Sequence, residues 1–155
     1  MTHRLETAAG PIEVWIPPGG ALRDLDGVAY WSPDPRLGRF TVAPAAGEDG
    51  DALLATEREG GELDVEADER GERGGLPVRR LRYRLRRETP REVVMGPAGR
   101  RHEGGEQVEH LGDVLLIGEG AHTVRAGYAV RGDAPDDIRA GFAEVLDRLR
   151  IGSEA

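Results

Sequence analysis

A chain of 155 residues with 38% hydrophobic side chains is long enough to bury a core without disulfides or a structural metal. It contains no Cys, no Lys and no Asn, and all 21 basic residues are Arg, set against 29 acids for a net charge of −8. These features exclude disulfides, thiolate chemistry, cysteine metal sites, lysine Schiff bases and the P-loop lysine, and they argue against non-specific nucleic-acid or anionic-membrane binding by the whole surface.

The joint absence of Lys and Asn, both encoded by A-rich codons, reads as genome composition rather than function. Twenty-three Gly and ten Pro imply short elements and many turns, which favours a sheet-rich or mixed α+β domain. No apolar run follows Met1 to Thr7, so no signal peptide is expected, and the aliphatic run Val114 to Ile117 is far too short to span a bilayer. The expectation is one cytoplasmic bacterial domain over residues 1–155, frayed at 1–10 and 152–155, with no membrane insertion.

In chain order, Ile12 to Ile16 alternates as a strand closed by Pro17-Pro18-Gly19-Gly20. Val28 to Trp31 and Arg39 to Ala43 read as two further strands, stopped by proline turns. Asp49 or Asp51 would cap a short helix over Ala52 to Arg58, ended by Gly60-Gly61. Glu62 to Asp68 then alternates, with Leu63, Val65 and Ala67 inward and four acids outward. Glu69 to Gly75 is expected to be a glycine-rich turn.

The stretch Arg79 to Arg87 follows, with Leu81, Tyr83 and Leu85 at every second position and Arg80, Arg82, Arg84 and Arg86 between them. That is the period of a strand with one buried face, and it predicts an outward row of arginines, an Arg ladder. Val78 falls off the parity of Leu81, so a bulge is expected near Val78 to Arg80. Glu92 to Met95 predicts a short strand and Gly96 to Gly105 a mobile loop. Gln107 to Ile117 and Thr123 to Val130 form the next hairpin, the second strand placing Val124, Ala126, Tyr128 and Val130 on one side. The closing helix would be capped by Asp133, with Ile138, Phe142, Val145, Leu146 and Leu149 as one apolar stripe and Gly152 as its stop.

Chemistry-bearing constellations are scarce. The only serines are Ser32 in a proline turn and Ser153 at the end of the sequence, and neither lies in a nucleophile elbow. His102, Glu106 and His110 have the spacing of ligands on one helix face, but Gly104-Gly105 interrupts them, and loop histidines are the reading adopted. Gly96 to Arg101 resembles a phosphate loop without its Lys or Ser/Thr.

Charge is the remaining signal. Residues 76–101 hold nine Arg and two Glu, whereas residues 48–72 hold eleven acids and two Arg. Cross-strand pairing of Glu62, Asp64, Glu66 and Asp68 with some of the ladder arginines would fix register more than stability. Any arginines left over would bind a partner. Nucleic-acid binding is disfavoured because Tyr83, the one aromatic in the stretch, faces the core and leaves no stacking platform.

The order of elements resembles the PsbP-like superfamily, which includes Mog-type Ran-binding proteins, photosystem PsbP and Eag-type chaperones of type VI secretion. The residues that carry the likeness are Trp15-Ile16-Pro17-Pro18-Gly19, the Gly75 to Tyr83 segment, Ala126 to Val130, and Phe142 to Ile151. The resemblance implies an α/β/α-type sandwich on an antiparallel sheet and a largely non-enzymatic, protein-binding role. It transfers no catalytic residue. The loop Glu88 to Gly105, longer than in that group, suggests an added contact surface.

The expected fold is therefore α+β: an antiparallel sheet with the C-terminal helix and a shorter helix packed on it. The expected function is a non-catalytic protein-binding module with no cofactor and no metal: a chaperone, adaptor or accessory subunit of a secretion system or other assembly. Its partner, an acidic segment or a second copy, would meet Arg80, Arg82, Arg84, Arg86, Arg87, Arg100 and Arg101. The alternatives are a small hydrolase or ligand-binding enzyme using carboxylates and histidine, and weak nucleic-acid binding through the Arg-rich strand.

Overall fold

The computed structural model describes residues 1–88, 93–96, 99–102 and 107–152. It is an α+β fold of antiparallel sheets with helices, as the composition and patterning imply. Strands β1 (Thr2–Thr7) and β2 (Gly10–Trp15) form a hairpin, to which the short β12 (Arg150–Ile151) adds on the far side of β2. The first ten residues are thus not frayed. The polar Thr2–Thr7 lead is held by its ladder to β2, and the Met1 ammonium donates to the Ile16 carbonyl at 3.0 Å.

The main sheet has seven strands. β3 (Arg23–Leu25), β4 (Val28–Trp31) and β5 (Gly38–Pro44) stand on one side of β11 (Val124–Arg131) and β10 (Gln107–Ile117), and β7 (Leu76–Glu88) and β6 (Glu62–Arg73) on the other, in the order β3-β4-β5-β11-β10-β7-β6. Helix α2 (Asp136–Asp147) lies on one face with the three-stranded sheet, and helix α1 (Gly50–Glu59) on the other.

Each face has its own core. On the α2 side, Phe142, Val145, Leu146 and Leu149 pack on Phe40, Val42, Ala126 and Val130 together with Ile12, Val14 and Ile16. Phe142 meets Trp31 edge-on at 5.3 Å and stacks on Tyr128 at 5.5 Å. On the α1 side, Leu53 and Leu54 cover Leu81, Tyr83, Leu85, Val114 and Leu116. The inward set Leu81, Tyr83 and Leu85 and the α2 stripe therefore stand where their spacing puts them.

This two-faced burial corrects the expectation for Val78. β7 and β10 pair without a break from Val78↔Ile117 to Glu88↔Gln107, so there is no bulge at Val78 to Arg80. Val78 points to the α2-side core and Leu81 to the α1-side core, and alternation is kept because this part of the sheet is covered on both faces. The bulge is instead in β6, between Val65 and Ala67. It sends Ala67 to the face of the ladder and Asp68 to the α1 face, so the inward set of β6 ends at Val65.

Nor is Glu69 to Gly75 a turn. β6 runs on to Arg73, and two glycines at positive φ, Gly74 (57°) and Gly75 (80°), close the hairpin by themselves, as a two-residue turn between twisted strands requires. Asp49 caps α1 by accepting from the Ala52 N–H at 2.8 Å. Asp133 does not cap α2: Pro135 holds the N-cap position, and Asp133 is turned back to accept from Arg131. The helix is C-capped at Arg148, four residues before Gly152, because the chain turns at once into β12.

Gly96 to Gly105 is not a loop throughout. β8 (Val93–Gly96) and β9 (Gly99–His102) pair antiparallel as a separate two-stranded sheet, so the phosphate-loop resemblance of Gly96 to Arg101 is set on a hairpin. Glu92 and Glu103 to Glu106 lie outside the described residues, as do Ser153 to Ala155. No helix among the described residues is long and apolar enough to cross a membrane.

A candidate partner-binding face

β7 sorts its arginines by parity. Arg80, Arg82, Arg84 and Arg86 share the α2 side of the sheet, while Arg79 and Arg87 lie on the α1 side with Leu81, Tyr83 and Leu85. Arg87 there reaches Glu57 of α1 at 3.7 Å. Arg79 donates to both Asp68 oxygens at 2.9 and 2.7 Å and to Asp51 of α1 at 3.0 Å, tying the first turn of the helix to the sheet. Its carboxylate partners hold the Arg79 guanidinium above its ordinary pKa, and its hydrogen bonds hold the Asp68 carboxyl below the usual carboxylate value.

The four ladder arginines are engaged by a mosaic of acids from both neighbouring strands. Arg86 donates to Asp64 at 3.0 Å and lies 3.9 Å from Glu109. Arg84 binds Glu66 and donates to Glu109 at 3.0 Å. Arg80 makes a two-point contact with Asp113, Nε to Oδ1 at 2.9 Å and Nη2 to Oδ2 at 2.7 Å, and lies 3.8 Å from Asp147 of α2.

The pairs run diagonally. Arg86 stands opposite Glu62 but reaches Asp64, and Arg84 stands opposite Asp64 but reaches Glu66. A long guanidinium spans the diagonal separation of cross-strand neighbours, so register alone does not name the partner. Of the four acids expected to pair with the ladder, Asp64 and Glu66 do so. Glu62 has no ion pair among the described residues, and Asp68 has been carried to the other face by the bulge.

Arg82 differs from the others. It is half-exposed at 49%, and its carboxylate contact is Asp113 at 3.4 Å, whose two oxygens already accept from Arg80. One buried carboxylate thus serves two guanidiniums, and Arg82 is the ladder arginine with no carboxylate of its own.

Beside it, between β7 and α2, runs an open groove of about 340 Å³ lined by three arginines of the ladder, by Glu66, Asp113 and Asp147, and by Leu111, Tyr128 and Ala143. Burial pushes the Tyr128 phenol up to about 12, with the nearby Asp113 carboxylate adding to the shift. Burial under α1 likewise pushes Tyr83 up to about 12.

These two phenols give a pH prediction. Their folded pKa values exceed the ordinary 10.0, so the folded state holds protons that the unfolded chain releases. The stability they contribute is complete below pH 10 and is lost as pH rises toward 12. Alkaline titration followed by phenolate absorbance should show Tyr83 and Tyr128 ionising together with unfolding; two free phenols titrating near 10 in a folded protein would contradict this burial.

A larger hollow, about 540 Å³, lies at the start of α1, lined by Gly47, Asp49, Asp51, Arg79, Gly118 and Gly120. Of its two arginines, Arg79 is bound by Asp68 and Asp51, whereas Arg70 is exposed and forms no ion pair among the described residues; the rest of the rim mixes carboxylates and glycine backbone with Pro77, Val78 and Leu116. The groove beside Arg82 is the one that the arginine ladder lines, with Arg80, Arg82 and Arg84 on its wall.

The structure brings Arg80, Arg82 and Arg84 together along this groove, and Arg86, on the same face, is not part of its lining. It places Arg87 on the opposite face, and Arg100 and Arg101 belong to β9 of the separate two-stranded sheet. Asp113 and Glu109 were missed by the sequence reading. The signal for Asp113 is one acid at the head of the run Val114 to Ile117, where a buried carboxylate demands a cation.

His110 is a strand residue of β10, not part of a helical ligand row, and burial lowers its pKa. Among the described residues no three His, Asp or Glu side chains converge as metal ligands. Both Asp113 oxygens accept hydrogen bonds from Arg80. A scan against protein-family models finds no match, and a search of curated proteins finds none that matches this chain.

Proposed function

We propose that the protein is a non-catalytic protein-binding module that takes an acidic segment of its partner against Arg82. In this reading it is a chaperone, adaptor or accessory subunit of a secretion system or other assembly, acting in the cytoplasm. The observation that carries the reading is Arg82 itself, half-exposed beside an open groove and sharing its one carboxylate with Arg80, while its neighbours are bound more closely by acids. The floor supplies what a protein partner needs around one charged contact: the apolar Leu111 and Ala143 and the Tyr128 ring. The helices on both faces of an antiparallel sheet support the PsbP-like kinship that the Trp15 to Gly19 and Gly75 to Tyr83 segments suggest.

Arg82→Glu tests it. Arg82 is half-exposed but its partner Asp113 is buried, so reversing the charge should cost more than the roughly 1 kcal/mol of an exposed pair, and the neutral Arg82→Gln, which should stay nearer that margin, is made alongside it. Recovery of the partner from extracts of the native host should nevertheless fall by roughly tenfold or more, as expected for reversing a charge at an interface. Arg86→Glu, at the outer end of the ladder, should have a smaller effect. Undiminished recovery with Arg82→Glu would overturn the proposal.

A further inference from the structure

The seven-stranded sheet ends in two unequal edges. β3 is three residues long, a short edge of the kind that resists further pairing. β6 is twelve residues long, and among the described residues nothing hydrogen-bonds to its outer side. Such a row of unpaired N–H and C=O groups along residues 62–72 is a template for one more strand.

Its charge selects which strand. Asp64, Glu66 and Asp68 are turned back onto Arg86, Arg84 and Arg79. Glu62, Glu69 and Glu72 are exposed and form no ion pair among the described residues. Beyond the bulge, Ala67–Arg73 pairs regularly with β7, and there Glu69 lies on the ladder face and Glu72 on the α1 face. An added strand would meet a free carboxylate on each side of the sheet, and near Val65, 38% exposed, an apolar contact as well. Two copies meeting edge to edge would join strands that each carry six acids against two arginines, Arg70 and Arg73, so the net charge favours a basic guest over a second copy.

We propose that the outer edge of β6 binds an extended, arginine- or lysine-rich segment of a partner protein as an eighth strand. This surface is distinct from the groove at Arg82 and opposite to it in charge.

The test uses the ¹⁵N-labelled chain and a short synthetic peptide alternating Arg with Val. Amide shift changes and exchange protection should be confined to residues 62–73, strengthen as salt is lowered, and be absent with the Glu-for-Arg peptide. Glu69→Arg combined with Glu72→Arg should weaken binding by roughly tenfold while leaving the fold intact, since neither acid has a partner to lose. Arg82→Glu should leave peptide binding unchanged, which separates this proposal from the preceding one. No change at β6 up to millimolar peptide would mean an edge protected by its charge and bulge, and would overturn it. So would shifts scattered over other acidic surfaces, or sedimentation showing that β6 pairs with a second copy.

Discussion

Asp113→Ala should destabilise the protein by about 2–3 kcal/mol, measured as a lowered midpoint in urea unfolding. The carboxylate is 6% exposed, and Arg80 and Arg82 both lean on it. Removing one partner of a buried ion pair costs about 3–5 kcal/mol because the other charge stays behind unpaired. Here the cost is lower, since Arg80 keeps some access to water and to Asp147 at 3.8 Å. Asp113→Asn, which keeps an acceptor and the shape, should lose less. Replacing Asp113 and Arg80 together by apolar residues of similar volume should recover most of the loss. A midpoint unchanged in Asp113→Ala would mean the ladder is not anchored there.

Gly112→Ala should cost about as much for a different reason. Gly112 pairs with Tyr83 across β7 and β10, and the phenol ring lies over its Cα under α1. A Cβ on residue 112 would stand 2.2 Å from Tyr83 Cζ and 2.6 Å from both Cε atoms, well inside contact distance. The ring is 6% exposed and enclosed by Leu53, Leu85 and Val114, so it cannot swing clear without displacing α1. Overpacking of this kind costs about 1–3 kcal/mol, and the upper end applies where the obstacle is a buried ring. In a Tyr83→Leu background the same substitution should be much milder, a coupling that a double-mutant cycle reads directly. Equal costs in both backgrounds would refute the contact.

Much of the architecture was legible because the signals were local. The alternation of Leu81, Tyr83 and Leu85 and the helical stripe of Phe142, Val145, Leu146 and Leu149 depend only on spacing, and all of these side chains are buried. The rest depended on what the chain meets elsewhere. Val78 looked out of step because a one-faced strand was assumed, whereas a second core receives it. Nothing in Val65-Glu66-Ala67 marks a bulge, since the alternation is unbroken there, yet the bulge decides which arginine Asp68 meets.

The ladder was legible as half of a charge-paired hairpin, but its deepest partner comes from β10, which sequence distance hides: Asp113 lies 33 positions from Arg80. Diagonal reach by long side chains then changed the partners within β6. The looser, shared contact of Arg82 follows from that arrangement, and no count of charges along the sequence contains it.

Occupancy of the groove at Arg82 in the cell is the most direct test of partner binding. A photo-crosslinking residue placed at Ala143, on the α2 wall of that groove, can be activated in the native host and the adducts identified. The expected result is a protein adduct whose crosslinked segment is acidic and whose yield collapses when Arg82→Glu is introduced. An adduct that persists unchanged with Arg82→Glu, or no adduct while the same label on the exposed edge strand β6 captures one, would contradict it.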